Sequence, residues 1–192
     1  MNTEKWSLLI VMCVILFASC KKNNTSSSAC DNTFTFLKNG SALTYSVDFL
    51  GDTSTSIVTY TSTSNASVFL QTISDVTDTQ FNGQKVYLQG CNGWLTQSYT
   101  MNVNDTGYFI KEKRSVGDAW KYYDPTYQDI NDYTVAQTNV SVKVPAGIFT
   151  CDQILYYQEG TFNTDTIWWN NSYGTIKYSG ALLAQQLIAK NY

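Results

Sequence analysis

Histidine is absent from all 192 residues. Without an imidazole there is no Ser–His or Cys–His nucleophile pair and no His-ligated metal site. Charge is also scarce: charged residues make up 14%, with 12 Lys plus Arg against 15 Asp plus Glu and a net charge of −3. So few cations cannot build the basic face that a phosphate backbone requires, which argues against nucleic acid. A coiled coil, which needs Glu, Lys and Leu in bulk, is excluded too. No CxxC pair occurs, so zinc has no ligand set, and no cofactor motif is present. No apolar run is long enough to cross a bilayer. The longest, Trp6 to Ala18, has 13 residues, too few for about 30 Å of hydrocarbon.

What is there points to β structure. The chain carries 5 Trp, 14 Tyr, 9 Phe, 24 Thr and 16 Asn. Aromatic and β-branched residues suit a pleated, half-buried surface, and Asn suits turns. That many aromatics exclude a disordered chain, and the length suffices for one domain with a real core.

The first 19 residues read as an address rather than as structure. Lys5 precedes the apolar run, which ends Leu16-Phe17-Ala18-Ser19-Cys20 and has the form of a secretory signal. Small residues directly before a Cys resemble the lipobox of bacterial lipoproteins. That resemblance implies cleavage before Cys20, acylation of Cys20 and attachment to the lipid bilayer through the acyl anchor. Phe17 stands where that family usually has Leu. An ordinary signal peptide cut after Ala18 or Ser19 is the alternative. Residues 20–30 contain the polar, low-complexity string KKNNTSSSA and read as a flexible tether. Lys21 occupies the position where the inner-membrane retention signal of such lipoproteins has Asp, and no acidic export run follows. The resemblance therefore implies the outer membrane, facing the periplasm in preference to the cell surface.

Four cysteines follow the signal: Cys20, Cys30, Cys91 and Cys151. With Cys20 lipidated, three remain in an oxidising compartment, enough for one disulfide. In Phe149-Thr150-Cys151 strand alternation puts Phe149 and Cys151 on one face, the core face, which leaves Cys30 and Cys91 as the pair.

Residues 31–192 read as one domain. Strand signals recur near every ten residues: Phe34–Leu37, Ala42–Phe49, Ser54–Thr63, Ser67–Val76, Lys85–Gln89, Trp94–Val103 and Tyr108–Lys113. Asn39-Gly40, Gly51-Asp52, Asn82-Gly83 and Gly90 to Gly93 punctuate them. The expectation is an all-β fold, a single antiparallel domain built as a curved sheet or open barrel. Residues 181–190 (ALLAQQLIAK) contain good helix formers and are open between a short C-terminal helix and a last strand.

Val140, Val142 and Val144 alternate with Ser141 and Lys143, and Pro145-Ala146-Gly147 leads into Ile148-Phe149-Thr150-Cys151. This spacing predicts a hairpin with a three-residue loop and a bulge at Gly147. The string VKVPAGIFTC is similar to the V-x-V-P-A-G-x-F motif of the DUF3108-type group of bacterial envelope proteins. Val116-Gly117-Asp118-Ala119-Trp120 resembles that group's V-G-D-x-W segment. Gly174-Thr175-Ile176-Lys177-Tyr178 resembles its G-x-V-K-Y strand. The resemblance covers about residues 115–192 and implies an antiparallel β domain, with no activity attached.

Candidate chemistry is thin. Asp124, Asp129 and Asp132 lie within DPTYQDINDY. Paired carboxylates serve glycoside hydrolysis, so a hydrolase using Asp129 and Asp132 is the alternative to a non-catalytic reading. The Ca²⁺-loop spacing is missing. The aromatic surplus is the stronger signal. Trp168 and Trp169 are adjacent, so on a strand they face opposite ways. With Trp94, Trp120 and the Tyr122-Tyr123 and Tyr156-Tyr157 pairs, they form candidate surfaces for an uncharged glycan or an apolar ligand. The leading expectation is a non-catalytic, membrane-anchored scaffold or accessory binder.

Overall fold

The computed structural model describes residue 30 and residues 33–65, 67–75, 82–100, 107–124, 129–160 and 163–191. Cys20, the signal and residues 21–29 lie outside the described residues. Twelve strands follow one another: β1 (Ala42–Phe49), β2 (Asp52–Ser62), β3 (Val68–Asp75), β4 (Lys85–Cys91), β5 (Trp94–Ser98), β6 (Gly107–Lys111), β7 (Ala119–Asp124), β8 (Asp129–Val144), β9 (Gly147–Gln158), β10 (Thr164–Asn170), β11 (Gly174–Ser179) and β12 (Leu183–Asn191). They form one antiparallel sheet in the order β6-β5-β4-β3-β2-β1-β12-β11-β10-β9-β8-β7. The fold is all-β, and the C-terminal segment is a strand, β12. Its helix formers are overridden because Leu43 to Phe49 of β1 supply a complete pairing edge for it.

The sheet curls until its two ends, β6 and β7, meet as a nearly closed barrel. Between them side chains do the joining. The Trp120 indole N–H donates to the Phe109 carbonyl at 3.1 Å, Gln97 Nε2 donates to the Tyr122 hydroxyl at 3.0 Å, and Lys111 pairs with Asp118 at 2.8 Å. Closing a sheet in this way removes exposed edges that would otherwise recruit other strands.

Strand alternation sends Leu43 and Tyr45 of β1, Val58 and Tyr60 of β2, Val86 and Leu88 of β4, and Ile167 and Trp169 of β10 into the interior. One barrel end is plugged. Phe34, Phe36 and Leu37 are all buried there, although Phe34–Leu37 is expected as a strand from its alternation. It is a turn instead: Leu37 N–H donates to the Phe34 carbonyl, and the Ser41 hydroxyl donates to the carbonyls of Phe36 and Lys38. Its apolar side chains find more burial inside the barrel than a two-faced strand would give. Phe36 packs edge-on to Tyr60 and Trp169.

The β8–β9 hairpin carries the VPAGIF string. Val144 pairs with Gly147, so Pro145-Ala146 is a two-residue connection, one shorter than expected, with Gly147 (φ +136°) already the first residue of β9. β8 is broken by register shifts between Val135 and Val140, where Asn139 takes φ +58°. Beyond that bulge the hairpin leans across the plugged end. Ala146 N–H donates to the Leu187 carbonyl of β12, and Phe149 meets Tyr173 edge-on. Val142, Val144, Phe149 and Cys151 face inward and are buried.

Candidate functional site

The concave face of the sheet encloses a lumen with two adjoining compartments. The first, about 280 Å³, runs along β1 to β5 above the plug; Phe36 and Trp169 form its floor, and Tyr45, Val58, Ile73, Val86, Leu88 and Leu95 its walls. The second, about 570 Å³, lies toward the far end along β7 to β11 and is lined by Tyr99, Tyr122, Tyr133, Tyr156 and Tyr178 with Asn131 and Gln158. Gln97, Phe109, Thr175, Leu183 and Gln185 border both, so the compartments share a boundary. Among the described residues, no lining side chain of either compartment carries a formal charge. The first is mainly hydrocarbon with Ser56 and Gln71 set into it; the second offers phenol hydroxyls and amides.

The polar half is held by hydrogen bonds. Tyr156 donates to Asn131 Oδ1 at 2.9 Å, and the Tyr178 hydroxyl donates to the Asp165 carboxylate. Tyr133 stacks face to face on Trp120, with centroids 5.5 Å apart. Burial raises the Tyr133 hydroxyl well above the ordinary phenol range. Burial, and then the Asp165 contact, does the same for Tyr178. Both remain neutral phenols at every physiological pH, able to donate and accept hydrogen bonds. Tyr45 closes the boundary of the apolar half with a hydrogen bond to the Thr175 carbonyl at 2.9 Å.

Trp168 and Trp169 face opposite ways. Trp169 is buried in the lumen floor, edge-on to Phe34, Phe36 and Phe109. Trp168 lies on the outer wall, where Lys177 Nζ sits 5.1 Å from its ring centroid. The two are therefore not one binding surface. Trp94 and Trp120 contact each other edge-on near the β6–β7 junction. Cys30 is bonded to Cys91, tying the chain ahead of the plug to the end of β4. Cys151 is a buried free thiol whose pKa burial pushes up to about 12. Asp132 sits on the outer wall, paired with Lys121 at 3.1 Å; the side chains of Asp124 and Asp129 lie outside the described residues.

Beneath the floor is a polar knot that the sequence does not announce. Arg114, whose side chain is only 2% exposed, pairs with Asp152 at 2.8 Å and donates to Asn171 Oδ1 at 2.9 Å and to the Lys111 carbonyl. Asn171 also accepts from the Trp169 indole at 3.0 Å and donates to the Glu112 carbonyl. The network fixes the ring that floors the lumen to the β6–β7 connection and to β9.

No family model matches the chain, and no curated protein matches it. Solved structures do. A "putative exported protein with YmcC-like fold" from Bacteroides fragilis NCTC 9343 superposes with a TM-score of 0.55 at 12% identity, covering 81% of this chain and 97% of that one. A "putative lipoprotein" from Parabacteroides distasonis ATCC 8503 superposes with a TM-score of 0.50 at 12% identity, covering 82% and 98%. At such identities the likeness is one of fold.

Proposed function

We propose that the chain is a non-catalytic envelope lipoprotein, anchored through Cys20 in the outer membrane and facing the periplasm, whose barrel holds an uncharged amphipathic ligand. The observation that carries the ligand reading is the lumen itself. It is of the size small-molecule sites occupy, it is lined without formal charge, and it is mainly apolar at one end and phenolic at the other. An acyl chain or other apolar body fits the first compartment, and a hydroxylated, uncharged head such as a sugar fits the second, where Tyr and amide groups supply both donors and acceptors. An anion or cation would lose its hydration there without a partner charge. The anchor reading is supported by the Ala18-Ser19-Cys20 sequence and by the names of the two fold neighbours, one exported and one a lipoprotein. The non-catalytic reading is supported by Asp132, which spends its carboxylate on Lys121 outside the barrel.

The test is ligand capture by the purified protein. Native mass spectrometry should show a bound neutral lipid or glycolipid, or uptake of a fluorescent monoacylglycerol. Ile73→Trp, which fills the apolar compartment, should weaken that uptake at least tenfold while circular dichroism stays unchanged. Uptake that Ile73→Trp does not affect, or none of any neutral lipid or glycan, overturns the ligand reading. Turnover of a glycoside panel that is lost in Asp129→Asn overturns the non-catalytic one.

A further inference from the structure

We propose that the plugged end of the barrel is the face that lies on the bilayer, seated on anionic phospholipid headgroups. The inference rests on the anchored reading given above and adds an orientation and a docking surface to it.

Charge is sorted along the barrel axis. At the plugged end stand Lys38, Lys111, Lys113, Arg114, Lys143 and Lys190, against Glu112, Asp118 and Asp152. Two pairs cancel, Lys111 with Asp118 and the buried Arg114 with Asp152, which leaves Lys38, Lys113, Lys143 and Lys190 against Glu112. At the far end the described charges are Asp48, Asp52, Glu159 and Asp165 against Lys85, with Lys177 on the outer wall beside Asp48. An anionic surface attracts the first end and repels the second, within a Debye length of about 8 to 10 Å.

Apolar side chains accompany the cations. Ile148 is 71% exposed and Val116 64% exposed, both at the plugged end. Ile148 lies directly opposite Lys143 in the β8–β9 register, and Lys190 Nζ stands 5.0 Å above the ring of the adjacent Phe149. The inner face of the hairpin is already committed to the core through Val142, Val144 and Phe149, so Ile148 must point outward. Apolar residues ringed by lysines are the composition of surfaces that enter the headgroup region without spanning the membrane.

The tether enters at the same end. Cys30 is fixed by its disulfide to Cys91, at the plugged end of β4, ten positions after Cys20. Ten residues reach at most about 35 Å, while the eight residues of β1 span about 26 Å. To set the far end on the bilayer, the tether would have to spend about three quarters of its full reach on the height of the barrel, whereas the plugged end asks for almost none of it. The far end does carry an apolar lip, where Leu50 N–H donates to the Leu182 carbonyl and both side chains are exposed. Asp48 and Asp52 flank that lip, however, which makes an anionic membrane its wrong partner.

The experiment uses the full anchored protein, reconstituted into vesicles of phosphatidylcholine and phosphatidylglycerol with brominated acyl chains. A tryptophan is added at either end, Ile148→Trp or Leu182→Trp. Bromine should quench the added fluorescence in Ile148→Trp and not in Leu182→Trp. Omitting phosphatidylglycerol or raising the salt should diminish the quenching. Lys113→Glu with Lys143→Glu should weaken it, at about fivefold in surface partitioning for each cation lost, while Lys85→Glu at the far end should leave it unchanged. Circular dichroism of each variant confirms the fold. Quenching at Leu182→Trp, quenching at neither position, or quenching indifferent to phosphatidylglycerol overturns the proposal. A protein that fails to float with the vesicles overturns the anchor as well, whereas one that floats with Ile148→Trp unquenched overturns the orientation alone.

Discussion

Trp120 of β7 donates its indole hydrogen to the carbonyl of Phe109 in β6, 3.1 Å across the line where the sheet meets itself. β6 and β7 are consecutive in the chain yet stand at opposite ends of the strand order. The bond therefore helps to hold the barrel shut where, among the described residues, no backbone ladder joins the two strands. Trp120→Phe keeps an aromatic ring against Tyr133 but removes the donor together with part of the ring's contact area. It should cost about 1 to 3 kcal/mol, the lost hydrogen bond and the lost packing together, read as a lower urea midpoint with an unchanged slope.

Gly107 lies at the same junction. A Cβ built there would fall 2.0 Å from Cε2 of Tyr122. Gly107→Ala must push Tyr122 aside, break its contact with Gln97 and open the polar compartment, at about 1 to 3 kcal/mol. Thermal unfolding of the variant checks the loss, and pairing it with Tyr122→Ala should recover part of it.

Arg114 and Asp152 form a buried pair beneath Trp169. Asp152→Ala strands a guanidinium that has almost no access to water and should cost about 3 to 5 kcal/mol. Arg114→Lys should not rescue the fold, because an ammonium cannot serve Asp152, Asn171 and the Lys111 carbonyl together as the planar fork does. Chemical denaturation with Trp fluorescence as the probe reports both.

The Cys30–Cys91 bond closes a loop of sequence separation 61. On the loop-entropy account, Cys30→Ser with Cys91→Ser should cost about 4 kcal/mol. Reducing agent should lower the melting temperature of the wild type and leave that of the double variant unchanged.

Cys151 supplies a pH dependence. Burial raises its thiol from 9.0 to about 12, so between those values the folded chain keeps a proton that the unfolded chain releases. Stability should fall as pH rises through that window, and Cys151→Ala should flatten part of the fall. Tyr133 and Tyr178, raised in the same direction, add to the fall at higher pH. Denaturation midpoints from pH 8 upward test the slope.

Much of the wall was legible because its signal is local. Val140, Val142 and Val144 alternate, and so do Trp168 and Trp169, and a strand records that alternation one residue at a time. The plug was not legible. Phe34-Thr35-Phe36-Leu37 has a strand's pattern, and only the barrel interior, made by residues up to 150 positions away, offers those rings a better place. Arg114 lay hidden for the same reason. Nothing near it in sequence distinguishes a solvated arginine from one facing Asp152, 38 residues on. The lumen depends on closure between β6 and β7, and no run of residues encodes whether a curved sheet closes.

The pairing of β1 with β12 places Ala42 beside Asn191. The first strand thus takes its partner from the nine residues of β12, the last of the twelve described strands in chain order. Until they arrive, β1 to β6 can assemble as a meander, but the free edge of β1 stays open to any other strand nearby. Folding this sheet is therefore a race between delivery of the C-terminus and capture of that edge, and contacts so distant in sequence make the closing step slow. A chain truncated before Leu183 should fold with that edge unmatched, prone to aggregation and open to proteases, even though every residue of the lumen floor is present.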